Sequence, residues 1–305
     1  MKYSSILDYL NSKKCKFCKN ELMSKHTTFR IGGPADLFIE VPDVCVLQNL
    51  LVIMKKSDIP FFLLGNGSNL LINDEGYRGV ILKLGEDFTS IKVNGEFIKC
   101  GAGVNLSKIC KAALENSLTG LEFAYGIPGS CGGAVVMNAG AYGGEMKDVI
   151  KMVEFVDKNG EINKISGKDC EFSYRNSLFS KNKYIITFVE FKLSLGNYES
   201  IKSRMEDLIA RRKLKQPLNF PSAGSFFKSP AGYHASALIE QCGLKGFRIG
   251  DAAVSSKHSG FIVNLGNATS DDIKKLQSEI ISQIATKTGI NLEPEVINLT
   301  DSLNS

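Results

Sequence analysis

Seven of the twenty residues from 126 to 145, GIPGSCGGAVVMNAGAYGGE, are glycine. Glycine at this density marks backbone that takes positive φ or approaches another group closely. Ile127, Val135, Val136, Met137 and Tyr142 interrupt it, so the stretch reads as an ordered, partly buried loop and not as a linker. The N–H groups of such a loop make a cradle for phosphate oxygens. A second glycine element, Gly65–Asn66–Gly67–Ser68–Asn69, lies between two apolar runs and adds polar side chains. Alone, it reads equally well as a tight turn. Together the two loops point to a shared diphosphate on a phosphate-bearing cofactor.

Neither loop is a Rossmann fingerprint. Gly65-x-Gly67 leads into an apolar run with strand character, and its third glycine position is Leu70. Gly101-x-Gly103 precedes a helical pattern, but there the third position is Leu106. Both lack the glycine that lets helix and strand pack closely. No GxxxxGK[ST] loop occurs. Cys15 and Cys18 form a CxxC pair in a Lys-rich leader, with no second pair or histidines at zinc spacing, and read as incidental. His26 and His258 have no partner at triad or metal spacing and read as structural. No metal is expected.

The elements that must hold these loops are mixed. Residues 6–10 read as a short helix. Residues 29–31 and 36–41 read as strands broken at Gly32–Gly33–Pro34. Asp43 is placed to cap a helix with Val44, Leu47, Leu51 and Met54 on its apolar face. Strands are expected at 61–64, 70–72 and 80–84, and at 91–93 and 97–100 around an Asn94–Gly95 turn. A helix starting at Asn105 precedes the long glycine loop. Strands at 152–156 and 162–165 flank Asn159–Gly160, and another runs over 184–193. Gly196–Asn197 marks a boundary. Beyond it, helices are expected at 201–212, 235–242 and 273–284, the last capped by Ser270, with a closing strand at 295–299.

At 305 residues, the chain has room for two domains at about 150 residues each. Its 43% hydrophobic and 23% charged residues are ordinary for a globular protein. The net charge of +5 is spread among mixed signs, with no basic run of the kind nucleic-acid arms carry. The N-terminus lacks a signal-peptide core, and no apolar run is long enough to span a bilayer. A cytoplasmic protein with eight reduced cysteines is expected, without nucleic-acid or membrane partners.

The glycine loops belong to a longer series of motifs: TFRIGGPAD (28–36), LGNGSNLLI (64–72), the stretch 126–145, YRNSLF (174–179), KQP (215–217), AGSFFKSP (223–230), GDAAVSSKHSGFIVN (250–264) and LEPEV (292–296). In this order, over nearly the whole chain after residue 21, the series resembles the FAD-linked UDP-N-acetylenolpyruvylglucosamine reductases of peptidoglycan precursor synthesis. The short spacing from Arg175 to Ser225 and the ten residues after Glu295 resemble the shorter form of that family.

The resemblance implies an α+β fold. A two-subdomain FAD-binding domain of the vanillyl-alcohol-oxidase (PCMH) type, residues 1–84 and 85–197, precedes a smaller α/β substrate-binding domain, 198–305. It implies that FAD carries hydride from NADPH to the enolpyruvyl ether of UDP-N-acetylglucosamine, giving UDP-N-acetylmuramate in a monomeric enzyme. Arg175, Ser225 and Glu295 match the family's catalytic positions: enolate stabiliser, proton donor and supporting carboxylate. Read alone, Ser225 is a turn hydroxyl, Arg175 a surface ion-pair partner and Glu295 a strand-end acid. Implied cofactor contacts are Leu64, Gly65, Asn66, Gly67, Ser68 and Asn69 in the first loop. In the second they are Tyr125, Gly126, Ile127, Pro128, Gly129 and Ser130, then Gly132, Gly133, Ala134 and Asn138. Arg212 is added as a diphosphate partner. Implied substrate contacts are Tyr174, Lys215 and Lys228. Two other readings stay open on fold alone: an FAD oxidase or dehydrogenase for an alcohol or sugar, and a nucleotide-binding module without chemistry.

Overall fold

The computed structural model describes residues 3–299. They form two compact units, each assembled from separate stretches of chain. The first holds residues up to 18, 37–66 and 80–211; the second holds 19–36, 67–79 and residues from 212 onward.

The first unit is built on a five-stranded antiparallel sheet in the order Ile162–Ser166, Ile150–Val156, Ile185–Lys192, Phe97–Gly101, Ile91–Asn94. Two Asn–Gly turns join its hairpins, and Gly95 and Gly160 take the positive φ those turns require, +57° and +81°. The helix Leu106–Glu115 buries Leu106, Ile109, Cys110 and Ala113. The strand Phe61–Leu64 runs parallel to residues 80–83. Before it, the helix Val44–Lys56 starts where Asp43 accepts the Val46 amide at 2.8 Å, and it buries Val46, Leu47, Leu50 and Met54.

The second unit has a four-stranded antiparallel sheet, Ser222–Ser225, Phe261–Asn264, Ala252–Val254, Arg248–Ile249. The helix Ser270–Thr288 packs Ile273, Leu276, Ile280 and Ile284 into its core, the stripe that period 3.6 dictates. Phe29, Ile31, Leu71 and Phe226 complete that core. The strand Ile297–Leu299 pairs in parallel with Leu70–Ile72.

Two expected details are corrected. Residues 29–31 are a turn and not a strand: the Arg30 amide donates to the Thr27 carbonyl at 3.2 Å, Arg30 sits at φ +57°, and the Thr27 hydroxyl donates to the Ile31 carbonyl at 3.0 Å. Phe29 and Ile31 are both buried, as anchors of that turn. The cap of the helix Ser270–Thr288 is Thr269, whose hydroxyl accepts the Asp272 amide at 3.0 Å while the Asp272 carboxylate accepts the Thr269 amide at 3.0 Å. Ser270 instead donates to the Asp74 carboxylate at 2.8 Å. In the second unit, residues 19–36 and 67–79 pack with the C-terminal stretch. Among the described residues no helix is long and apolar enough to cross a membrane.

A hydroxyl cap of this kind contributes about 1 kcal/mol. Thr269→Ala is expected to lower stability by about that amount, read as a lower urea midpoint at unchanged slope. An unmoved midpoint would show that Asp272 alone suffices.

Candidate active site

In the first unit, the long glycine loop lies antiparallel on residues 102–106. Leu106 donates to the Gly129 carbonyl at 3.0 Å, Cys131 to Val104 at 2.7 Å and Gly132 to Ala102 at 2.8 Å. A Cβ on Gly132 would stand 2.9 Å from that of Ala102, so this glycine serves packing. Ser130 opens the short helix Cys131–Val136, its hydroxyl accepting the Gly133 amide at 3.3 Å. Gly65 lies against the same hydroxyl: a Cβ there would meet Ser130 Oγ at 2.5 Å. Asn66 Nδ2 donates to Asn105 Oδ1 at 2.7 Å. Gly65, Asn66 and residues 129–133 therefore form one surface. Gly129 differs from its neighbours, since a Cβ there finds nothing nearer than 3.7 Å. The Gly129 and Ser130 amides donate to no acceptor among the described residues.

The Tyr174–Arg175 pair forms the tip of a tight turn in this unit. Ser173 and Asn176 exchange backbone hydrogen bonds of 3.1 and 3.2 Å across it. Arg175 takes φ +55°, a left-handed conformation uncommon for a residue with a side chain. Its guanidinium lies 4.9 Å from the centre of the Tyr174 ring, and Nη2 donates to the Gly140 carbonyl at 3.5 Å. Asn138, fully buried, donates through Nδ2 to Glu145 Oε2 at 2.9 Å and to the Ser173 carbonyl at 3.1 Å, and its Oδ1 accepts the Lys147 amide at 3.0 Å. The Lys147 ammonium, 2.7 Å from Glu145, holds that carboxyl below the usual glutamate range; partial burial opposes it, and Asn138 and the Arg175 charge assist.

In the second unit, Ser225 ends the strand Ser222–Ser225 and is exposed. Gly224 takes φ +80°, and the pairing with Phe261–Asn264 shifts register between Ser222 and Ser225. Such a bulge re-aims a strand-end side chain. The buried Phe226 and Phe227 hold it from the C-terminal side. The Glu295 amide donates to the Phe226 carbonyl at 2.8 Å, and the Lys228 amide to the Glu293 carbonyl at 2.9 Å. Ser225 and half-buried Glu295 are thus set on adjoining segments. Asn69 braces the second of these, donating to the Glu295 carbonyl at 3.1 Å and accepting the Ile297 amide at 3.0 Å.

Residues 35–166 match the family model described as FAD binding domain, and residues 216–299 that of the UDP-N-acetylenolpyruvoylglucosamine reductase C-terminal domain. The UDP-N-acetylenolpyruvoylglucosamine reductase of Caldanaerobacter subterraneus subsp. tengcongensis is 50% identical, over 93% of this chain and 94% of its own. The chain belongs to the UDP-N-acetylenolpyruvoylglucosamine reductase family. The Clostridioides difficile relative of the same name is 47% identical over 96% of each chain. The crystal structure of the Thermus caldophilus enzyme matches with a TM-score of 0.81 at 35% identity, over 94% of this chain and 99% of that one. The protein is an FAD-dependent oxidoreductase, an α+β FAD-binding domain followed by the C-terminal domain of this reductase family.

The Gly129 and Ser130 amides, which have no acceptor among the described residues, are groups that could hold an anionic oxygen. Pro128 and Gly133 are exposed on the same loop, while Leu64 and Ala134 are buried and support it. Gly67 sits in the second unit, where a Cβ would meet the His26 carbonyl oxygen at 2.1 Å; it too is a packing glycine. Lys228 pairs with Glu293 at 2.9 Å, which ties up the neighbouring acid of LEPEV and leaves Glu295 distinct from it. Lys215 is exposed. In the second unit a cavity of about 510 Å³ is lined by Lys213, Pro217, Phe220, Ser255, Ser256 and Lys257, among others.

All eight cysteines are free thiols. Cys100 and Cys131 lie buried with sulfurs 3.5 Å apart, and burial pushes the Cys131 thiol well up, as befits inert groups. His258 is lowered by burial. Among the described residues no group of three or more His, Cys, Asp and Glu is placed to hold a metal. Glu145 was missed in the sequence; its only local signal is its place at the end of the glycine loop.

Because the folded Glu145 carboxyl is depressed, its contribution is fully present above the unfolded value and is lost as pH falls through the folded one. Thermal melts from neutral to acid pH should therefore show wild type losing stability relative to Glu145→Gln below the ordinary glutamate range. Parallel curves would remove this coupling.

Proposed function

We propose that this reductase converts the enolpyruvyl ether of UDP-N-acetylglucosamine to UDP-N-acetylmuramate in peptidoglycan precursor synthesis, with NADPH as reductant. The observation that carries the reading is the placement of an exposed hydroxyl, Ser225, on a segment hydrogen-bonded to that of Glu295, within the reductase's own C-terminal domain. The proposal includes a flavin held by residues 1–84 and 85–197, a substrate domain from 198, and action in the cytoplasm.

When bound, FAD would supply the hydride chemistry between NADPH and the terminal carbon of the enolpyruvyl group. Gly129, Ser130 and Asn66 would hold its diphosphate through N–H groups. Hydride addition leaves an electron pair shared between the α-carbon and the substrate carboxylate. A fixed guanidinium answers that charge, and Arg175 is assigned this task. Ser225 gives its proton to the α-carbon, completing a lactyl ether from one hydride and one proton. A serine hydroxyl is an ordinary acid far too weak for most acceptors, so the transfer depends on a strongly basic carbon held beside it. The Glu295 carboxylate orients Arg175 or the substrate, or relays a proton from solvent to the Ser225 alkoxide. Tyr174, Lys215 and Lys228 are assigned to the substrate, and Arg212 to a diphosphate.

Gly129→Ala should yield a folded protein depleted of flavin, because the added Cβ would meet the polypeptide no closer than 3.7 Å; Gly129→Val carries the same test with more bulk. Gly132→Ala should instead lower stability through its contact with Ala102. Visible absorbance per chain and a thermal melt separate the two. Full flavin occupancy in Gly129→Val would move the diphosphate elsewhere.

Stopped-flow absorbance tests the reaction itself. NADPH should bleach the bound flavin, and the enolpyruvyl UDP-sugar, but not simple sugars, should restore it. Ser225→Ala should leave the first phase near wild type and slow the second by about 10²–10⁴-fold, the range of general acid catalysis. Ser225→Cys should recover part of the rate. Equal slowing of both phases points to damaged flavin binding, and no slowing of the second removes Ser225 from the mechanism.

A further inference from the structure

We infer that Asn138, with Glu145, is a positioning residue for Arg175: its buried side chain fixes the turn that presents the guanidinium. This rests on the assignment of Arg175 to the developing negative charge. The sequence resemblance grouped Asn138 with the cofactor contacts. Its side chain, however, has its polar atoms engaged by protein: Nδ2 by Glu145 and the Ser173 carbonyl, Oδ1 by the Lys147 amide. Ser173 is the residue from which the Tyr174–Arg175 turn departs, and its carbonyl already closes the turn to Asn176. On the other side, fully buried Ser177 donates to the Val136 carbonyl at 2.7 Å. The turn is therefore held at both ends by the segment 136–138.

Such bracing has a physical purpose. A left-handed Arg175 persists only where surrounding bonds determine it. An arginine with several rotatable bonds gains catalytic value only if its fork is held in place before charge develops. Gly140 supplies a carbonyl for Nη2, and Glu145 supplies a negative charge close enough to act on the guanidinium. Lys147 pairs with Glu145 at 2.7 Å, so Arg175 is not the only cation beside that carboxylate. Asn138 itself takes φ +41°, which asparagine tolerates better than most residues.

Asn138→Gly keeps the positive φ and removes all the side-chain bonds. Asn138→Asp keeps the acceptor and removes the donor. In the flavin-loaded enzyme, both should slow reoxidation by the enolpyruvyl UDP-sugar by about 10²-fold, the effect of roughly 1 Å of misplacement. Flavin content and reduction by NADPH should stay as in wild type. Limited trypsin digestion of the native full chain, read by mass spectrometry, supplies a second measure. Cleavage after Arg175 should accelerate in both variants while other sites keep their rates. Glu145→Gln, which retains an acceptor for Asn138, covers the case in which the Asn138 variants do not fold; it should slow the same phase. Arg175→Ala is run beside them. If Arg175→Ala leaves reoxidation untouched, the role assigned to Arg175 fails, and digestion alone decides whether Asn138 holds the turn. If Arg175→Ala slows reoxidation but the Asn138 variants neither slow it nor expose the turn, the positioning role is overturned. Wild-type behaviour of Asn138→Asp in both measures overturns it as well, as does uniformly faster digestion at every site.

Discussion

No side chain can stand between Gly132 and Ala102, and much of the first unit follows from that. The close approach lets residues 129–132 pair with residues 102–106, which fixes the long glycine loop against the five-stranded sheet. Ser130 is then placed to cap the short helix and to receive Gly65, and Asn105 to receive Asn66. The high glycine content of this region answers two demands. Gly65, Gly132 and Gly144 make room for neighbouring protein atoms; a Cβ on Gly144 would fall 2.6 Å from the Phe123 ring. Gly143 answers the other demand, taking φ +89°, while at Gly129 a Cβ would stand no nearer than 3.7 Å to another protein atom.

The second unit solves a different problem with backbone bonds. Ser225 and Glu295 are seventy residues apart, yet the bond from the Glu295 amide to the Phe226 carbonyl sets their segments side by side. Side-chain packing could not do this alone, because Ser225 is exposed and Glu295 only half-buried. Their anchors are instead the buried neighbours, Phe226, Phe227, Leu292 and Val296. The register shift between Ser222 and Ser225, with Gly224 at positive φ, then re-aims the Ser225 side chain at the end of its strand. Both polar groups lie at the edge of a core whose apolar residues are one position away.

What could be read from the sequence was what short-range rules govern. Asn94–Gly95 and Asn159–Gly160 announce their turns, Asp43 its helix, and the Ile273–Ile284 spacing its buried stripe. Thr269 was also within reach: an acid three residues on, Asp272, marks a capping box, but the adjacent Ser270 is an equally good cap by type. Residues 29–31 look like a strand because both Phe29 and Ile31 are apolar at alternate positions; a turn that buries two anchors produces the same pattern. The bracing of Arg175 was illegible, since its partners lie 30 to 37 residues upstream and their pairing is decided by the fold. The three groups assigned to catalysis came from the resemblance of whole motifs, and no spacing rule singles them out.

The discontinuity of the two units has a consequence for how the protein is made. The chain passes between them five times, at 18/19, 36/37, 66/67, 79/80 and 211/212. Every stretch of the first unit has left the ribosome before the C-terminal third of the chain is complete. The second unit must wait, because Leu70–Ile72 has no parallel partner until Ile297–Leu299 is synthesised. Phe29, Ile31 and Leu71 emerge early and remain without most of their core throughout that interval. The nascent chain thus carries exposed apolar anchors for longer than a protein with contiguous domains would. For the same reason a fragment beginning at residue 216 would inherit the C-terminal sheet and helices without the early residues that cover them.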